Sequence, residues 1–383
     1  MNYIIHCPIK GQIEFKTGDL NELSSLIKYL HKNTTTVKAI AFPRGTVLPD
    51  GRLDLCKQNL GYQGCQEVTQ ALAKNTNIVS LLLGTNGIGD KGAIAVADLI
   101  QNNQQLEIIY LGCNYIQELG TKALSTALAN NKTIKGLWLK RNPIGIGGAK
   151  AIAQMIYSNS SLLTLDLVNT AIKTDGLAII IEALINSDCV IERLYLSGNN
   201  FNSNDAYLLA DLLKNNTKIK YLFVGTNHLQ DKGAVILSEA LRQNKTLKEL
   251  GLNSNNIGDL GSISILKAIE SNPNITSLNF GYSPSTKVLQ AEGNKISDRG
   301  AKVIGEFLTN NQTLQRLDLR KNHLTEIGIE HLLVGLQHNN SLTKLLLDGK
   351  PYRKIDSILY HNQKINSSSK TVSDITLIRS VYR

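Results

Sequence analysis

The sequence predicts an α/β solenoid in which short parallel strands alternate with helices and each strand–helix unit packs against its neighbours. Three observations carry this. One pattern, LxxLxLxxNxL, recurs as LEIIYLGCNYI from Leu106, IKGLWLKRNPI from Ile134, IERLYLSGNNF from Ile191, IKYLFVGTNHL from Ile219, LKELGLNSNNI from Leu247 and LQRLDLRKNHL from Leu314. Units begin at 37, 78, 106, 134, 162, 191, 219, 247, 275, 314 and 342, and seven of the ten intervals are 28 residues. Within each unit the apolar period changes from two, the mark of a strand, to helical spacing, as in IGDKGAIAVADLIQNN at 88–103. The two long intervals, 41 and 39 residues, place insertions at 43–55 and 282–293, both between strand and helix.

Taken in order, residues 1–36 read as an N-terminal cap, with a hairpin of Tyr3–His6 and Ile13–Phe15 and a helix from Thr17 to Asn33. A cap is needed because the first repeat has no neighbour to cover its apolar face. Residues 37–350 form the array of about 11 units. Its leucines fill the space between sheet and helices. In helix 88–103, Asp90 is the expected N-cap and Ala93, Val96, Ala97 and Ile100 the buried face. The asparagines closing the strands (Asn86, Asn114, Asn142, Asn199, Asn227, Asn255, Asn322) are expected to stack as a ladder, because an amide both donates and accepts. Gln58, Thr170 and Lys350 stand in that place elsewhere and are its expected weak points. The sequon-like Asn131, Asn215, Asn244, Asn274 and Asn311 read as chemistry of the turn into the next strand. Residues 351–383 form a basic C-terminal cap and tail, with a closing helix in PYRKIDSILYHNQ and a Ser-rich remainder expected to be loosely held.

Net charge is +10, and seven basic against two acidic residues between Lys350 and Arg383 supply half of it. The five cysteines are odd in number and include no CxxC pair, which points to a reducing compartment and away from a disulfide framework or zinc. The start, MNYIIHCPIKG, does not read as a signal peptide, and no apolar run is long enough to span a membrane. The expected location is cytoplasmic.

The repeat resembles that of leucine-rich-repeat proteins of the ribonuclease-inhibitor type, whose 28-residue units with full helices are also found in NOD-like receptors and RanGAP proteins. The resemblance covers residues 37–350. It implies a horseshoe with the parallel sheet on the concave face and helices on the convex face. Low aromatic content, abundant Asn, Lys and Ile, and near-uniform repeats are similar to secreted leucine-rich-repeat effectors of intracellular bacterial pathogens. That resemblance implies translocation by a signal-peptide-independent route and binding of a host protein or another effector.

Trp138, the only tryptophan, lies between Leu137 and Leu139. If the leucines are core, alternation puts the tryptophan on the open face of the sheet. The same position through the units holds Ala41, Leu82, Tyr110, Trp138, Asp166, Tyr195, Phe223, Gly251, Asn279, Asp318 and Leu346. Leu82, Tyr110, Trp138, Tyr195 and Phe223 make an apolar-aromatic stripe interrupted by Asp166. Ile108, Arg193 and Tyr221 widen it, and Lys140 and Arg141 follow the second leucine. These eleven residues, from Leu82 to Phe223, are the expected partner-binding surface of a non-enzymatic scaffold that is monomeric when free. No part of its own chain is expected over Trp138. The insertions at 43–55 and 282–293 lie along the same rim and allow two readings, tolerated loop drift or two projecting loops that clamp a partner.

No cofactor, metal site or catalytic set is expected. GTNGIGDKG (84–92) lacks phosphate-loop spacing, the histidines show no HExxH, Cys113 has no histidine near it, and Asp166 and Asp318 lie too far apart to pair. A RanGAP-like GTPase-activating protein is an alternative that the family resemblance allows, although that family's tail is acidic and this one is basic. Ribonuclease inhibition is disfavoured, since a basic protein repels a basic target. Nucleic-acid binding is a further alternative, opposed by the scatter of Lys and Arg among Asp166, Glu249 and Asp318.

Overall fold

The computed structural model describes residues 17–270, 272–283, 286–287, 289–349, 352–366 and 378–381. The predicted hairpin at 3–6 and 13–15, and Lys350, lie outside them. The described residues divide into two compact units, 17–192 with 378–381, and 193–366.

In the first unit the cap helix Ser24–Lys32 follows a 3-10 turn, Leu20–Leu23, whose first N–H groups are served by Asp19. Asn33, at φ 50°, ends the helix in a left-handed conformation that asparagine tolerates better than most residues. The strands are β1 Ile40–Ala41, β2 Thr46–Val47, β3 Arg52–Asp54, β4 Ser80–Leu82, β5 Ile108–Tyr110, β6 Gly136–Trp138 and β7 Thr164–Asp166. β1, β2 and β3 form an antiparallel meander, and from β3 to β7 the pairing is parallel. Residues 43–55 are therefore not a projecting insertion. Leu53 and Leu55 stand 28 residues before Leu81 and Leu83, so β3 is the first strand of the parallel array and β1–β2 cap it. The column position assigned to Ala41 belongs to Asp54, which pairs with Leu82.

The helices of this unit are Gly61–Leu72, Gly89–Asn102, Glu118–Ala129, Gly145–Ser158 and Lys173–Ile185. Gly89–Asn102 buries Ala93, Val96, Ala97 and Ile100 as its spacing requires, with Leu99 added. Asp90 is not that helix's N-cap. It sits inside the first turn and accepts the Gln117 N–H of the following unit at 2.7 Å. The strand leucines are fully buried between sheet and helices, each worth roughly 1.5–3 kcal/mol as an upper bound.

The second unit repeats this construction. Strands β8 Arg193–Tyr195, β9 Tyr221–Phe223, β10 Glu249–Gly251, β11 Ser277–Asn279, β12 Arg316–Asp318 and β13 Lys344–Leu346 are parallel and pair in order. Its helices are Ala206–Asn215, Gln230–Gln243, Asp259–Ile269, Asp298–Asn310, Glu326–Leu336 and the closing helix Arg353–Ile365. Gly305 and Gly335 let two of these helices touch along their backbones: a Cβ on Gly335 would lie 2.1 Å from the Gly305 carbonyl oxygen.

Polar ladders knit the repeats. Asn86, Asn114 and Asn142 each place their amide N–H groups on two buried carbonyls and their oxygen on the backbone N–H one repeat earlier, 2.9 Å away in each case. Thr170 keeps part of this role through a hydroxyl bond to the Leu167 carbonyl at 2.8 Å. In the second unit the ladder includes Asn294, which accepts from the Asn255 N–H after the chain returns from the insertion at 282–293. A second ladder runs through the helix ends. Asn103, for example, bonds the Leu72 and Asn75 carbonyls and accepts from the Gln105 and Leu106 N–H groups. Asn131, Asn244 and Asn311 belong to it and are buried, so these sequons are closed to modification in the folded chain. Asn362 extends it from the closing helix to the Asn339 and Leu342 carbonyls.

Candidate functional site

On the open face of the first unit the register aligns Asp54, Leu82, Tyr110, Trp138 and Asp166 in one column, with Arg52, Ser80, Ile108, Gly136 and Thr164 beside it. The direction inferred for Trp138 holds: Leu137 and Leu139 are core, and the indole belongs to a separate cluster on the other face. The rings lie flat because small residues make room for them. A Cβ on Gly136 would stand 2.4 Å from the Trp138 ring, and one on Gly84 would stand 2.4 Å from Tyr110.

This part of the stripe is not open, which corrects the expectation that the chain leaves Trp138 uncovered. Leu82 is 0%, Trp138 2% and Tyr110 6% exposed, and they pack with Cys56 and with Ile378 from the C-terminal segment, Ile108 lying against the group. Polar contacts hold the same segment. The Ser380 hydroxyl donates to Asp54 Oδ1 at 3.1 Å, the Val381 N–H donates to Asp54 Oδ2, and Arg52 Nη1 donates to the Arg379 carbonyl at 2.8 Å. Asp54 is fully buried and also accepts the Cys56 N–H. At residues 378–381 the tail is thus docked rather than loose. The apolar-aromatic column buries more area against an aliphatic side chain than against water, and Asp54 supplies an acceptor where the segment has donors.

Lys140 and Arg141 are partly buried beside this cluster. Lys140 Nζ lies 5.4 Å from the Tyr110 ring centre, a cation–π distance, and Arg141 occupies the left-handed turn before Asn142. Burial pushes the Asp166 carboxyl up to about 6, against the lowering effects of Lys140, the Val168 N–H and Arg141. Burial, reinforced by Asp54, pushes the Cys56 thiol up to about 12, and Cys65 stands at about 12 for burial alone. Both are neutral packing groups at neutral pH rather than nucleophiles.

The open face of the second unit carries the other predicted aromatics, half-buried. Tyr195 and Phe223 stack with ring centres 4.5 Å apart and planes 9° apart, and the Arg193 guanidinium lies 3.9 Å from the Tyr221 ring centre. Further along, Arg320 clasps the buried Asp318 through two bonds of 3.0 and 2.6 Å. In the insertion at 282–293, Thr286 is buried against Ser254, their hydroxyls 2.7 Å apart.

Sequence reasoning missed Arg52, Asp54, Cys56, Ile378 and Ser380. The 28-residue spacing from Leu53 to Leu81 could have brought Asp54 into the column, whereas nothing periodic marks Ile378 or Ser380.

The fold is a leucine-rich-repeat solenoid. A family model described as Leucine Rich repeat matches residues 74–97, 243–266 and 310–333, each spanning a strand, its turn and the start of a helix. A comparison with curated proteins gave no match. Similar solved structures include the Leiomodin-1 Actin-Binding Site 2, at 23% identity over 36% of this chain and 76% of that one, with a TM-score of 0.31. Another is a chain in the crystal structure of the yeast Rad7 and Elc1 complex, at 14% identity over 87% and 86%, with a TM-score of 0.46. Among the described residues, no helix is long and apolar enough to cross a membrane.

Proposed function

We propose that this chain is a protein-interaction scaffold of the ribonuclease-inhibitor type, and that Arg193, Tyr195, Tyr221 and Phe223 form the surface that meets a folded protein partner. The observation that carries the reading is the half-buried aromatic pair Tyr195–Phe223 beside the Arg193–Tyr221 pair. Rings already stacked lose little freedom on binding, and Tyr and Arg are over-represented among residues that dominate interface energy. Lys140, Arg141 and Asp166 edge the covered part of the stripe and would contact a partner only after it opens. The Asn-, Lys- and Ile-rich composition supports the finer reading of a secreted bacterial effector acting on a host protein.

The test is quantitative affinity capture from cell lysate with wild type and a Tyr195→Ala/Phe223→Ala variant of equal thermal stability. Capture of specific partners is expected to collapse in the variant, since two interface aromatics worth on the order of 2 kcal/mol each weaken binding by roughly a thousandfold. An unchanged partner set would overturn this assignment.

A further inference from the structure

We propose that the open face of β3–β6 is a binding site for a short peptide segment of another protein, and that Ile378–Val381 is its resident, displaceable occupant. The ligand carries an aliphatic side chain and, two residues later, a Ser or Thr followed by a free backbone N–H. The inference rests on the scaffold reading above and adds a site and a ligand chemistry to it.

Each element of that chemistry has a receptor. The aliphatic anchor enters a pocket of Cys56, Leu82, Ile108, Tyr110 and Trp138. The hydroxyl and the N–H reach the two oxygens of Asp54, and Arg52 holds the backbone carbonyl between them. Asp54 is a fully buried carboxylate whose described partners are its own Cys56 N–H and donors of the docked segment. A buried carboxylate needs donors, so the site calls for a ligand that brings them. The Ser80 hydroxyl supplies an independent observation. It is 4% exposed, lies on the same face as Leu82, and has no hydrogen-bond partner with the segment in place. The resident segment therefore leaves a polar group unsatisfied that a better-fitting peptide can satisfy.

Displaceability follows from the shortness of the contact: among the described residues the segment that meets this face is Ile378–Val381, with Ile378 its buried aliphatic anchor, and its hold depends on the tether. A tethered occupant competes by a factor of one plus its effective concentration divided by its Kd. That is about tenfold for a millimolar effective concentration and a Kd on the order of 0.1 mM.

The experiment uses the full chain and a fluorescent, end-capped peptide of residues 376–383, with Trp138 as a built-in reporter. Ile378→Asp is expected to make Trp138 emission shift to the red and become more accessible to acrylamide. The peptide is expected to reverse both changes and to bind the Ile378→Asp chain about tenfold more tightly than wild type. A peptide carrying Asp at the anchor position is expected not to bind. Asp54→Asn, which keeps an oxygen for the Cys56 N–H, is expected to open Trp138 in the same direction. Unchanged Trp138 accessibility in Ile378→Asp, equal peptide affinity for both chains, or no binding to either would each overturn the proposal. These readouts involve no folded partner, so they succeed or fail independently of the Tyr195/Phe223 capture test.

Discussion

Burial makes the charge of Asp166 costly to keep, and replacing it with asparagine measures by how much. Its side chain is 5% exposed, and one oxygen accepts the Val168 N–H at 2.9 Å. Asparagine retains that acceptor and removes the charge. Burial raises the carboxyl from about 3.8 to about 6, with Lys140, the Val168 N–H and Arg141 each pulling it down. Between these values the folded chain holds a proton that the unfolded chain has released. Stability from this group is therefore greatest below pH 4, falls as pH rises toward 6, and is level above that. At 1.36 kcal/mol per pH unit the full loss is about 3 kcal/mol. Urea unfolding of wild type and Asp166→Asn, followed by Trp138 emission at steps from pH 4 to 7.5, isolates the term by difference. The advantage of the variant is expected to grow by about 2 kcal/mol between pH 4 and 6 and to level off by about pH 7. Lys140→Met in the wild-type background is expected to move the transition to higher pH, since a cation that favours the carboxylate is gone. A difference that is flat with pH, or that shrinks as pH rises, would refute the reasoning.

Two further substitutions probe the scaffold under the site. Asn114→Ala strips partners from the buried Asn86 N–H and from the Leu83 and Leu111 carbonyls, and is expected to cost about 3–5 kcal/mol in urea unfolding; a loss below about 1 kcal/mol would mean that the ladder is replaceable by water. Gly136→Ala puts a methyl 2.4 Å from the Trp138 ring. It is expected to cost about 1–3 kcal/mol and to shift Trp138 emission, and an unchanged spectrum and stability would count against the flat placement of the indole.

Much of this protein is legible locally. The alternation of two and the 28-residue period place Leu137 and Leu139 in the core and Trp138 opposite them, because strand geometry leaves an adjacent side chain no other face. The strand-closing asparagines announce their ladder, since the turn leaves carbonyls that only a donor in register can meet. Where a repeat is disguised the reading slips. The interval from 37 to 78 looks like an insertion, although Leu53-x-Leu55 already carries the pattern, and Ala41 takes the place of Asp54. Asn294 is a rung of the ladder, but the insertion before it shifts it off the 28-residue spacing, so the sequence pattern passes over it.

The sequence alone thus determines the repeat, the direction each strand residue faces and the aromatic character of the open side. Only the tertiary structure decides which part of that side is accessible. Ser380 and Val381 meet Asp54 across 326 and 327 residues of chain, and Arg379 meets Arg52 across 327. Periodicity reports on neighbours along a strand and on equivalent positions in adjacent repeats. A contact between an array and a non-repeating segment has no period, and it forms because a buried carboxylate and an apolar column find their complements there.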